Sequence, residues 1–190
     1  MARKAQPTEI YQLKVTLQYS KPPIWRRLLV PSNVPLNKLH YILQTAFDWT
    51  NSHLHQFIVG DGLYYGESHP DYGDFDMQDE RKFTLKDIAP GEGDKFVYEY
   101  DFGDSWEHIV LVEKVLPPDP AQTYPVCIKG KLAGPLEDIG GMWGYYEFLE
   151  AMKDPDHPDH AMYVECYGDE EFDPEAFDLD SINAGLRNLK

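Results

Sequence analysis

The side chains able to do acid–base or metal chemistry fall in two short stretches and one later position. The first stretch is His53-Leu54-His55. On an extended strand, residues two apart point the same way, so both imidazoles would share a face with Phe57 and Val59. Such a pair can anchor a metal ion through two ring nitrogens, or can serve as half-buried histidines making hydrogen bonds. The second stretch, Tyr98-Glu99-Tyr100-Asp101-Phe102-Gly103-Asp104-Ser105-Trp106-Glu107-His108, sets Asp101, Asp104 and His108 around one turn. Glu137 completes a candidate polar site of Asp101, Asp104, His108 and Glu137, and His53, His55 and His108 are the candidate metal ligands. A carboxylate–histidine centre could hold a divalent metal and activate a water, with Glu113 or Glu137 as general base. That chemistry needs three or more of these groups to converge and one coordination position to stay open. The competing role for Asp101 and Asp104 is turn chemistry, because aspartate accepts hydrogen bonds from nearby backbone N–H groups. Ser105 lies three residues before His108 without the G-x-S-x-G elbow of a nucleophilic serine.

The elements that must hold these residues are legible as strands. Phe96, Tyr98 and Tyr100 alternate with Val97 and Glu99, and Trp106, His108, Val110 and Val112 share one face of a following strand. Alternation on both sides of a glycine-containing turn predicts a hairpin. A loop from Asp101 to Ser105 sets Tyr100 against Trp106 and Tyr98 against His108, which keeps every apolar ring on one face. A tighter turn over Gly103-Asp104 would slip the register by one and invert that face.

Upstream, Tyr11, Leu13, Val15, Leu17 and Tyr19 predict a half-buried strand. Lys21-Pro22-Pro23 breaks it before a second, antiparallel strand over Ile24 to Val30. Arg26 and Arg27 are expected as solvated guanidiniums on an edge strand, the alternative being a clamp on a carboxylate. Ser32-Asn33-Val34-Pro35 reads as a side-chain-capped helix start. Leu36, Leu39, Leu43, Ala46 and Phe47 then form an apolar stripe. A strand over His53 to Val59, a short return at Leu63 to Gly66 and an acidic loop from Glu67 to Glu80 follow. That loop lacks calcium-loop spacing. Thr84 to Ile88 predicts one helical turn. The glycine-rich passage after Tyr124 lacks both phosphate-cradle spacings and predicts a loop folded over the sheet. A helix from Tyr145 to Met152 should bury Tyr146 with Leu149, or Phe148 with Met152. Asp154 to His160 reads as a polar turn, and Asp178 or Asp180 as the cap of a final helix. The expectation is an α+β chain: a flexible tail over 1–8, then a single domain over 9–190, mainly antiparallel sheet with helices packed against it.

Composition excludes some classes. Asp and Glu total 33 against 17 Lys and Arg, a formal charge of −16. This field repels phosphate backbones and acidic membrane surfaces, so neither nucleic acid nor membrane is the expected partner. The two cysteines, Cys127 and Cys166, form neither a C-x-x-C pair nor a disulfide framework. With no apolar leader and no run of about 20 apolar residues, a cytoplasmic location is expected.

Several motifs together resemble the plasmid pRiA4b ORF-3-like family. They are Pro22-Pro23-Ile24-Trp25-Arg26-Arg27, Phe47-Asp48-Trp49 with His53-Leu54-His55-Gln56-Phe57, and Tyr100 to His108. Cys127 to Gly130, Glu137-Asp138 before Gly140-Gly141, and Phe172-Asp173-Pro174 continue the series. The resemblance implies a compact α+β domain and, for some members, carriage by mobile elements. It implies no established activity. Other members often carry cysteines where this chain has Gly134 and Ile139, which with Cys127 could make a thiolate metal site. Only Cys127 stands here, which argues against a cysteine-rich zinc site. Two functions compete: a small interaction module binding a protein or peptide through an aromatic-rich face, and a metal-dependent, hydrolase-like enzyme with a His/Asp centre. Beyond a possible divalent metal, no cofactor is expected.

Overall fold

The computed structural model describes residues 9–67, 77–168 and 172–189. Strand β1 (Ile10–Leu17) pairs antiparallel with β2 (Trp25–Pro31), as the Pro-Pro break predicts. Strands β3 (His55–Val59) and β4 (Leu63–Gly66) form a hairpin, and β5 (Met77–Asp79) adds in parallel beside β4. The central hairpin is β6 (Lys95–Tyr100) and β7 (Trp106–Leu116), and β8 (Val126–Lys131) closes the set. The eight strands make one sheet in the order β5-β4-β3-β6-β7-β1-β2-β8. Every pairing but β4–β5 is antiparallel, so the chain is α+β.

Alternation decides which face is dry. Leu13, Val15 and Leu17 of β1 are buried with Tyr98 and Tyr100 of β6 and Trp106, Val110 and Val112 of β7. The residues between them face water. Helix α1 (Leu36–Phe47) covers this apolar face, burying Leu36, Leu39, Leu43, Ala46 and Phe47 as its spacing predicts. Its start differs from the expected side-chain cap. Pro35 is the N-cap and makes no side-chain bond; the orphan N–H of Leu36 instead donates to the Phe83 carbonyl at 3.0 Å. The predicted turn at Thr84 is the one-turn helix α2 (Leu85–Ile88), with a capping box between Thr84 and Asp87.

The edge-strand expectation for Arg26 and Arg27 is overturned, because β2 lies between β1 and β8. Arg26 is buried, donating to the carbonyls of Ala46, Trp25 and Lys131 at 2.8–3.1 Å. The Phe47 and Phe177 rings stand 4.9 and 5.1 Å away. Burial lowers its pKa to about 10, which leaves it charged at neutral pH. Arg27 faces outward and forms the carboxylate clamp with Glu113, at 2.6 and 2.8 Å.

Helix α3 (Gly141–Lys153) starts one turn before the expected Tyr145 and buries Tyr145, Phe148 and Ala151, at three-residue steps. The polar turn before His160 leads into α4 (His160–Tyr167), an element that the sequence pattern does not predict. Helix α5 (Leu179–Asn188) is capped by Asp178, whose carboxylate accepts from the Ser181 N–H at 2.9 Å. Tail residues 1–8, most of the expected acidic loop, and Asp169, Glu170 and Glu171 lie outside the described residues. No helix among the described residues is long and apolar enough to cross a membrane.

Candidate functional site

The central hairpin adopts the register that keeps its rings together: Tyr100 faces Trp106 and Tyr98 faces His108. The loop from Asp101 to Ser105 turns on two left-handed residues, Asp101 at φ 57° and Ser105 at φ 52°. Aspartate tolerates that region better than most residues. The Asp101 N–H donates to the Leu54 carbonyl at 2.8 Å, and its Oδ1 accepts from the Gly103 N–H at 2.9 Å. Asp104 Oδ2 accepts from the Gly140 N–H at 3.1 Å and holds the start of α3 against the hairpin. The contact is close enough that a Cβ on Gly141 would sit 2.4 Å from the Asp104 carbonyl oxygen. The turn role of both aspartates is therefore real, and Asp104 is occupied by it.

The three histidines expected to share a metal go to different surroundings. His108 is fully buried, edge-on to the Phe47 and Trp49 rings. Its Nδ1 sits 3.1 Å from the Trp106 carbonyl and 3.3 Å from that of Tyr98, so Nδ1 carries the proton. Burial pushes its pKa down to about 3. A neutral imidazole sealed among aromatic rings is a core residue, and His108 leaves the candidate metal set for that reason. His53 and His55 do not share a strand face, because β3 starts only at His55. His55 Nε2 lies 2.7 Å from Glu80 Oε2, and its ring stacks at 3.5 Å on His40.

His40 is absent from the candidates that the sequence offers. It is buried within α1, bonded from Nδ1 to the Tyr98 hydroxyl at 2.8 Å and from Nε2 to Asn51 Oδ1 at 2.5 Å. Asn51 Oδ1 can only accept, so His40 donates to it and accepts from Tyr98. Burial first, and the neighbouring His55 second, lower the His40 pKa to about 3. Its place four residues after Leu36 and three before Leu43 sets it on the helix stripe, and that spacing is the signal that could have found it.

Glu137 is not free to act as a base. It accepts from the Tyr100 hydroxyl at 2.5 Å and from the Thr50 N–H and hydroxyl at 2.9 and 2.7 Å. These bonds fasten the loop before α3 to the end of α1 and to β6. Trp49 adds a bond from Nε1 to the Pro135 carbonyl at 2.8 Å, and Tyr167 donates to the Asp138 carbonyl at 2.7 Å. Glu113, the other base considered, is committed to Arg27 and Gln12.

The side chains that do converge are His53, Asp101 and Asp138. One ligand atom from each lies within 4.8 Å of the others. His53 Nε2 is 2.9 Å from Asp138 Oδ1 and 3.6 Å from Asp101 Oδ2. Neither contact is a hydrogen bond, so this buried Nε2 has no such partner among the described residues. Asp101 is 8% exposed, while the Asp138 side chain is open to water. His53 also lines a polar cleft of about 480 Å³ with His40, His55, Asn51, Ser52 and Glu80. Asp138 lies far from the hairpin in sequence, and although it stands in the Glu137-Asp138 motif, no local spacing ties it to His53.

A model of the plasmid pRiA4b ORF-3-like proteins matches residues 9–181. The chain belongs to this family. An uncharacterized protein, y4hQ, of Sinorhizobium fredii (strain NBRC 101917 / NGR234) is 36% identical over 180 residues, covering 95% of this chain and 92% of that one. The crystal structure of MM3350 of Methanosarcina mazei Go1, described as a protein of unknown function, is similar with a TM-score of 0.80 and 37% identity. It spans 92% of this chain and 97% of that one. The pRiA4b ORF-3-like fold thus extends over nearly the whole sequence, and these relatives attach no activity to it.

Proposed function

We propose that this pRiA4b ORF-3-like chain is a cytoplasmic protein-interaction module. Its binding face is the end of the sheet where the central hairpin meets α3. The observation that carries this reading is Trp143, which is 88% exposed in the first turn of α3. Indole is costly to leave in water and is enriched among the anchors of protein interfaces. Two further exposed rings stand on segments fastened to that helix. Phe102 lies in the hairpin loop that Asp104 ties to Gly140, and Tyr19 offers its carbonyl to the Tyr146 hydroxyl at 3.3 Å. Asp104 and Asp138 border the same helix start, and the chain carries −16 overall. The matching occupant is a protein segment with an apolar anchor flanked by lysine or arginine.

The test is selection from a displayed random-peptide library, followed by affinity measurement of individual synthetic peptides. Enriched peptides should pair an apolar residue with basic neighbours, and Trp143→Ala should weaken them by about tenfold or more. No enrichment, or peptides that bind Trp143→Ala as tightly as the parent, overturns the reading.

A further inference from the structure

We infer that His53, Asp101 and Asp138 form a binding site for one divalent transition-metal ion of the zinc or manganese class. The donor set carries the first part of the argument. One imidazole nitrogen and two carboxylate oxygens are ligands that zinc and manganese both accept. Two ligand atoms about 2.1 Å from a shared zinc lie about 3.0–3.4 Å apart for octahedral or tetrahedral angles. His53 Nε2 stands 2.9 Å from Asp138 Oδ1 and 3.6 Å from Asp101 Oδ2, which brackets that spacing.

The orphaned nitrogen is the second, independent observation. His53 Nε2 is shielded from water, sits beside two carboxylate oxygens, and makes a hydrogen bond with neither. A buried polar nitrogen left unpaired in this way costs free energy unless something else engages it. A cation between the three atoms would accept the nitrogen lone pair and offset the repulsion of two adjacent anions.

The positions are fixed by surrounding bonds. Tyr100 holds the His53 backbone, accepting its N–H at 3.3 Å through the same hydroxyl that donates to Glu137. Asp101 is fixed by the Gly103 N–H on Oδ1, which leaves Oδ2 turned to His53. The Asp138 backbone is pinned by Tyr167. Outer bonds of this kind orient metal ligands and raise affinity. Three protein ligands leave at least one position for water or a bound group, and His53 also lines the cleft formed with Asn51, Ser52 and Glu80. The site would then present the ion's open position to a polar ligand. It shares Asp138 with the acidic border of the interaction face but none of the aromatic anchors Trp143, Phe102 and Tyr19, so Trp143→Ala and His53→Ala separate the two assignments.

The experiment uses the full chain made without a histidine tag and stripped with EDTA. ZnCl₂ and MnCl₂ are titrated separately by calorimetry near pH 7, and Co²⁺ is added as a spectroscopic probe of nitrogen and oxygen ligation. One ion per chain should bind with Kd below about 10 μM. His53→Ala, Asp101→Asn and Asp138→Asn should each weaken binding by about tenfold or more. Asp138→Asn keeps shape and alters an exposed side chain, so it tests the site without threatening the fold. Trp143→Ala and His157→Ala should bind like the parent. Absence of binding tighter than about 1 mM overturns the assignment. So does binding unchanged in His53→Ala and Asp138→Asn, or binding lost in His157→Ala instead.

Discussion

His108 and His53 touch the same strand two residues apart and meet opposite solvents. His108 reaches β6 through the Tyr98 carbonyl, with its ring sealed between Phe47 and Trp49. His53 meets β6 through the Tyr100 hydroxyl, and its ring looks out on Asp101, Asp138 and the cleft. One imidazole works by volume and by being neutral. The other has a nitrogen with two carboxylates beside it and water beyond. Residue type alone does not set the role: the same side chain is core filler on the inward face of a strand and stands beside two carboxylates in the loop ahead of one.

The sharpest way to break that comparison is to remove each ring. His108→Ala deletes a fully buried ring at the centre of the aromatic cluster and should cost about 3 kcal/mol or more in urea unfolding. His108→Leu, near in volume and without polar atoms, should cost less than about 1.5 kcal/mol. His53→Ala removes a ring that is 28% exposed and should stay within about 1 kcal/mol. Equal losses from His108→Ala and His53→Ala would erase the distinction between core and site.

The division tracks what the sequence made legible. Positions set by periodicity were readable: the α1 stripe, the hairpin register that places Tyr98 opposite His108, and the cap at Asp178. Two properties were not. The interior place of β2 depended on β8, whose Val-Cys-Ile-Lys-Gly-Lys run shows no alternation, and Arg26 shares the buried face of β2 with Leu28 and Val30, where water was expected. The converging site depended on Asp138, which reaches His53 only because Glu137, Tyr167 and Pro135 fasten its loop across the sheet end. Long-range bonds of that kind leave no trace in local spacing. The pairing of His53 with His55 failed for a smaller reason: the strand begins two residues late, so the period-two rule did not apply to the first histidine.

Acid should report on the two buried histidines. Both His108 and His40 have folded pKa values lowered to about 3, below the ordinary 6.5. The unfolded chain therefore binds more protons between those limits. Their contribution to stability is complete above about pH 6.5 and is lost as pH falls towards 3. With both groups protonating on unfolding, stability should fall by up to about 2.7 kcal/mol per pH unit within that window. His108→Leu should reduce the slope by up to about 1.4 kcal/mol per unit, while His53→Ala should leave these two contributions in place. Unfolding free energies measured by urea at pH 7.0, about 6 and about 5 check this. An unchanged slope in His108→Leu would mean that His108 is not held neutral.

The smallest effect belongs to the opposite, wet face of the sheet and separates imidazole titration from carboxylate titration. Glu113 accepts two bonds from Arg27 and one from Gln12, and the Arg27 bond chiefly lowers its pKa to about 2. The folded value lies below the ordinary 4.5, so this carboxylate contributes stability above about pH 4.5 that disappears as pH falls towards 2. Both partners are partly open to solvent, and screening limits a bidentate pair there to about 1 kcal/mol. Glu113→Gln should therefore lower stability by about that amount at pH 7 and by less as the pH approaches 3. Between pH 6.5 and 5.5 its slope should match that of the parent, because Glu113 is at least about nine-tenths ionised in both states over that range. A slope altered there would place Glu113 in the acid response assigned to the buried imidazoles, and the division between dry and wet faces would no longer predict which groups titrate on unfolding.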